Sequence, residues 1–228
     1  KSVNSAVDTP AYTDEAVVSF TTAGGVPVGG SIRVSLPEVV SSQAGWMVSS
    51  GTSSVEFGSP SSSAPLVNGA DVNVTSGGRV VEFAISENEL GQGVEVVFTI
   101  SHVTTPTRQV GAASETSIWT YDSLGNIIDS ASDVSTDAIT EGGLTGVKSV
   151  NSAVDTPAYT DEAVVSFTTS GGVPVGGSIR VSLPEVVSSQ AGWVVSSGTS
   201  VAFGSPSSSA PLVNGADVNV TSGGRVVE

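Results

Sequence analysis

The sequence predicts an all-β chain built of tandem antiparallel β-sandwiches, and three observations carry that expectation. Apolar and polar residues alternate at period two in short runs, Gly, Pro, Ser and Asn break those runs, and the first 82 residues occur twice. Lys1–Glu82 reappears as Lys148–Glu228, with 78 of 81 aligned positions identical and a period of 147. Ala23, Met47 and Glu56 become Ser170, Val194 and Ala202, and one serine near Ser54 is missing from the second copy. Residues 83–147 occur once. The expected domains are a complete repeat over 1–147 and the first part of a second over 148–228, a window on a longer tandem array. A period of 147 exceeds the roughly 20–50-residue units of solenoids and fits a string of separate globular domains.

Each run gives a strand with one inward face. Ala16, Val18 and Phe20 point one way, and Val17, Ser19 and Thr21 the other. Ile32, Val34 and Leu36 face inward against Ser31, Arg33 and Ser35, and Pro37 ends that strand. Glu56, between Val55 and Phe57, faces solvent, which fits its replacement by Ala202. Val72 and Val74 flank an outward Asn73, while Val81, Phe83 and Ile85 alternate with Glu82 and Ala84. Val94, Val96, Phe98 and Ile100 form the longest stripe. Turns fall at Gly24-Gly25, Gly29-Gly30, Gly77-Gly78, Gly91-Gln92-Gly93 and Leu124-Gly125-Asn126. About eight to ten strands per repeat read as a sandwich. Trp46 and Trp119 are expected to point inward, at ~2–3 kcal/mol each.

Some of these residues carry a family resemblance. Ala16-Val-Val-Ser-Phe-Thr-Thr and Gly29-Gly-Ser-Ile-Arg-Val-Ser-Leu-Pro37 resemble the first two strands of a recurring extracellular repeat. Val94-Glu-Val-Val-Phe-Thr-Ile-Ser-His-Val-Thr-Thr-Pro106 and Tyr121-Asp-Ser-Leu-Gly-Asn-Ile-Ile-Asp129 resemble later parts of it. That repeat is an immunoglobulin-like sandwich of very large surface proteins, including adhesin-like stalks and proteins related to flagellar hairs (mastigonemes). The resemblance implies an immunoglobulin-like fold and an extracellular or cell-surface location.

Composition narrows the function. Seven Lys and Arg against 22 Asp and Glu give a net charge of −15, which disfavours nucleic acid as a partner. No apolar run reaches the ~18–20 residues of a spanning helix. The chain has no cysteine, so disulfides and thiol–metal sites are excluded.

Catalytic signals are sparse. His102 is the only histidine, no Gly-x-Ser-x-Gly elbow or phosphate-binding loop occurs, and no enzymatic activity is expected. Asp129, Asp133 and Asp137 recur every four residues and would share one face of a strand. With Glu141, Asp155 and Asp161 they form a candidate Ca²⁺ site at the repeat junction, set against a solvated acidic face. Asn73-Val74-Thr75 and Asn219-Val220-Thr221 are N-glycosylation sequons. Ser59–Pro65 and Thr104–Thr107 are candidates for O-linked sugars. Lys1 and Lys148, with Asn4 or Asn151 and Asp8 or Asp155, supply the residue types of an isopeptide bond.

The expected function is that of a structural subunit, an acidic, glycosylated array forming an extracellular filament, hair or surface stalk. Its expected partners are other copies or repeats of the same protein, and glycans. Two alternatives are an adhesin stalk presenting a binding domain elsewhere and a carbohydrate-binding module. The scarcity of aromatic residues at outward positions counts against the last.

Overall fold

The computed structural model describes residues 1–38, 45–59, 72–184, 192–196, 198–204, 218–223 and 225–228. Contacts divide the chain into two compact units, Lys1–Pro174 and Val175–Glu228. No helix among the described residues is long and apolar enough to cross a membrane.

Among the described residues, ten strands lie wholly within the first 147. They are β1 (Ser2–Ser5), β2 (Thr13–Thr21), β3 (Ser31–Ser35), β4 (Met47–Val48) and β5 (Val55–Ser59), followed by β6 (Val72–Thr75), β7 (Val80–Ala84), β8 (Glu95–Thr104), β9 (Ala113–Tyr121) and β10 (Ile127–Thr136). The predicted alternation sets their faces. Ala16, Val18, Ile32, Val34, Val81, Phe83, Val96, Phe98 and Ile100 are all buried, while Glu56 and Asn73 are exposed. Phe83 and Phe98 meet at 5.0 Å between ring centroids near the middle of the core. Phe57 joins them edge-on or tilted, and Phe20 packs edge-on against Phe98.

The predicted sandwich, and with it the immunoglobulin-like fold, is not what forms. Nine strands follow one another in hydrogen-bonded order β4-β8-β2-β1-β10-β9-β3-β7-β6, with β5 also paired to β8. A sandwich needs two sheets with no ladder between them. Here β1 pairs on both edges, antiparallel to β2 and parallel to β10, and so welds the two halves into one wall. At the other side the Val48 amide donates to the Gly78 carbonyl at 2.7 Å, bringing β4 to the β6–β7 turn. The result is a nearly closed, mixed β-barrel. Alternation does not separate the two architectures, because each buries one face of every strand. Gly78 has φ +89°, and a Cβ there would lie 2.7 Å from the Val48 carbonyl oxygen, so closure depends on glycine.

Two expectations about side-chain direction also change. Trp46 is buried as predicted, but Trp119 is not. Ile118 and Thr120 take the inward positions of β9, so Trp119 and Tyr121 stand half-buried on the outer face. The segment 136–147 is partly built into the first unit. Ile139 is buried and exchanges backbone hydrogen bonds with Val110, and the Thr140 amide donates to the Asp8 carbonyl.

The interior also holds polar groups. Thr22 Oγ1 donates to the Gly91 carbonyl at 2.7 Å, but buried Thr116 Oγ1 has no partner among the described residues. Thr116→Val replaces that hydroxyl by a methyl of the same shape, and is expected to raise stability by about 1–2 kcal/mol in chemical denaturation.

The repeated sequence does not build a second sandwich either. β11 (Thr145–Ser152) and β12 (Ala163–Thr168) form a hairpin within the first unit. In the second unit β13 (Val181–Ser182), β14 (Val220–Thr221) and β15 (Val226–Val227) form a small sheet in the order β13-β15-β14. Registers are nevertheless reproduced. Val3↔Val18 on β1–β2 recurs as Val150↔Val165, Val34↔Val81 as Val181↔Val227, and Val74↔Val81 as Val220↔Val227. Local pairing therefore follows the repeated sequence, while burial does not. Val18, Val26 and Trp46 are 0%, 0% and 1% exposed, and their counterparts Val165, Val173 and Trp193 are 41%, 49% and 38% exposed. The missing cover is the part of the barrel made by β8, β9 and β10.

Candidate functional site

Asn73 lies on β6, the last strand of the barrel path, with Asn73 and Thr75 exposed and Val72 and Val74 packed against the core. The sequon is thus presented outward on a strand whose other edge has no named neighbour among the described strands. Directly opposed residues in an antiparallel ladder share a face, so the register can be followed across the wall. Asn73 opposes Glu82, Glu82 opposes Arg33, Arg33 opposes Trp119, and Trp119 opposes Ser130. Beside this row Tyr121 opposes Ser31. Glu82 Oε1 accepts from Ser31 Oγ at 3.1 Å, while the Arg33 guanidinium lies 5.9 Å from the Trp119 ring centroid. No ion pair joins Arg33 to Glu82 among the described residues, and Arg33 Nε is buried without a hydrogen-bond partner.

This outer row escaped sequence reading. Adjacent Ile118 and Trp119 cannot both point inward from one strand, and Ile118 is the one that does. The signal was present in Thr116, Ile118 and Thr120, whose shared phase leaves Trp119 outside.

Asn219 and Thr221 are exposed as well. Asn219 exchanges both backbone hydrogen bonds with Glu228, at 2.7 and 2.9 Å. Ser178 Oγ donates to Glu228 Oε1 at 2.9 Å, repeating the Ser31–Glu82 contact. In the O-linked candidate 59–65, all but Ser59 lie outside the described residues.

Five of the six carboxylates expected at a junction Ca²⁺ site have separate partners. Asp129 accepts from the Ala23 and Gly24 amides at 3.3 and 2.9 Å and from Thr120 Oγ1 at 3.2 Å, which ties the turn after β2 to β10. Asp133 meets Lys1 Nζ at 3.5 Å across exposed surface. Glu141 accepts from Gln109 Nε2, Asp155 from Ser152 Oγ, and Asp161 from the Glu162 amide. The four-residue spacing does not place Asp129 and Asp133 on one face, because β10 is bulged between Ala131 and Val134. Asp129 shares the face of Ala131 and Val134, and Asp133 takes the opposite one. No group of three His, Asp or Glu side chains among the described residues is arranged to hold a metal ion.

Asp137 stands just beyond β10, and its carboxyl is held above the ordinary carboxylate range by partial burial and then by the negative charge of Asp8. The folded chain therefore binds that proton more tightly than the unfolded chain. Ionising Asp137 as pH rises from 3.8 through the raised value removes stability. Asp137→Asn is expected to raise Tm at neutral pH and to leave it unchanged at about pH 3, where both chains are uncharged at this site. Asp122 behaves oppositely. Hydrogen bonds led by the Asn126 side chain hold its carboxyl low, so its contribution is present above 3.8 and is lost in stronger acid.

His102 is exposed at φ +55°, with its Nδ1 3.2 Å from Ser101 Oγ. Lys148 Nζ donates to the Leu144 carbonyl and Lys1 Nζ to Asp133, so neither lysine is seen bonded to an asparagine. Comparison of the chain with protein-family models, curated proteins and solved structures gives no match.

Proposed function

We propose that the chain is a stretch of an extracellular structural protein whose 147-residue repeats form glycosylated β-modules of a filament, hair or surface stalk. The observation that carries this reading is the reproduction of three strand registers by the two copies, which ties the repetition to a repeated module. Near-identical adjacent modules provide length and regular spacing. The net charge of −15 discourages non-specific association between neighbouring arrays. The sequons Asn73 and Asn219 both lie exposed, where attached sugars would not disturb the core. Electron microscopy of the native material tests the proposal. Regular fibres or long rods with one axial period per repeat support it, and compact particles without axial order contradict it.

A further inference from the structure

The exposed sequon and the outward aromatics belong to one surface. We propose that the outer face of β6, β7, β3 and β9 is the docking strip for the glycan on Asn73, with Arg33 and Trp119 receiving its sugar rings. This inference rests on the glycosylated reading above and adds where the glycan lies and what holds it.

Asn73, Glu82, Arg33 and Trp119 occupy one continuous cross-strand row on one face. Three strand intervals separate Asn73 from Trp119, or about 14 Å at the usual spacing. A glycan leaving the Asn73 amide can lie along this row instead of projecting into solvent.

The sugar that begins an N-linked glycan, N-acetylglucosamine, has apolar C–H faces, hydroxyl donors and an acetamide carbonyl acceptor. The row supplies the complement in order. Glu82 offers a carboxylate that accepts from Ser31 through one oxygen, leaving the second oxygen for a sugar hydroxyl. Arg33 offers guanidinium N–H groups that are not engaged by Glu82, although the two are directly opposed. Trp119, with Tyr121 two residues along on the same face, offers a half-exposed aromatic wall for a C–H face. A glycan held this way also shields the β6 end of the barrel wall against pairing with another chain.

The chain contains its own control. Asn219, Arg180 and Glu228 repeat Asn73, Arg33 and Glu82, but 148–228 has no counterpart of Trp119. The Asn73 glycan should be held and the Asn219 glycan free.

The test uses the 228-residue chain secreted from a eukaryotic cell, with both sites checked by intact-glycopeptide mass spectrometry and the glycans isotopically labelled for NMR. The expected result is an upfield ring-current shift of N-acetylglucosamine protons at Asn73 alone, with free-glycan values at Asn219. Trp119→Ala should abolish that shift. If this variant does not fold, the comparison of the two glycans in the unaltered chain decides. Equal shifts at both sites, or an Asn73 that is never glycosylated, would overturn the proposal. Fibres in the microscope together with equal shifts would sink the docking strip while leaving the structural reading intact.

Discussion

Residues 148–228 expressed alone are expected to remain unfolded, whereas residues 1–147 fold and unfold cooperatively, although 78 of 81 aligned positions are the same. The reason lies in what each copy can bury. In the first, β2 pairs along its length with β8, and β3 pairs with β9. In that setting Val18, Ile32, Val34 and Trp46 are buried. Without them, β11–β12 is a two-stranded hairpin, and β13, β14 and β15 are only two residues long each. An isolated hairpin is marginal in water, and the exposed Val165, Val173 and Trp193 return little of the ordering entropy. Far-UV circular dichroism and amide chemical-shift dispersion of the two fragments check this. A dispersed spectrum from 148–228 would show that β8, β9 and β10 are dispensable.

Phe98→Ala is expected to cost residues 1–147 about 3–5 kcal/mol, a large share of the ~5–15 kcal/mol that holds a typical domain together. Phe98 is fully buried on β8 and makes ring contacts with Phe20, Phe57 and Phe83. Those rings come from β2, β5 and β7, so one side chain ties three other parts of the barrel wall together. Truncation leaves a cavity bounded by aromatic rings, two packed edge-on and one tilted, that have few ways to collapse into it. Phe57→Ala should cost less, because Phe57 is only partly buried on a strand that pairs with β8 beside the main path. Chemical denaturation of the two variants measures the difference. Equal losses would contradict the central place given to Phe98.

The all-β class and the faces of most strands were legible in the sequence because side-chain alternation is a local property. Ala16, Ile32, Phe83 and Phe98 went where period two put them. Closure was not legible. It depends on β1, a four-residue strand whose parallel partners Ser135 and Thr136 lie 133 residues away and are announced by neither pattern nor spacing, and on the contact of Val48 with the distant turn at Gly78. The family resemblance rested on strand and turn patterns that a barrel and a sandwich share, so it led to the wrong architecture. The carboxylate row failed for a related reason. A single extra residue in β10 reverses the face of everything after it, and no residue type in Ala131-Ser132-Asp133-Val134 announces the bulge. Asn73, by contrast, was placed correctly because its flanking valines fix its direction within three residues.

The barrel implies that residues 83–147 close a module begun by residues 1–82. Hydrogen exchange on a chain that carries a second copy of 83–147 after Glu228 tests this most directly. The amides of Ala163–Thr168 are expected to acquire the protection seen in the matching part of β2, and Trp193 to become inaccessible to quencher. Amides in β12 that continue to exchange as they do in the 228-residue chain would contradict it.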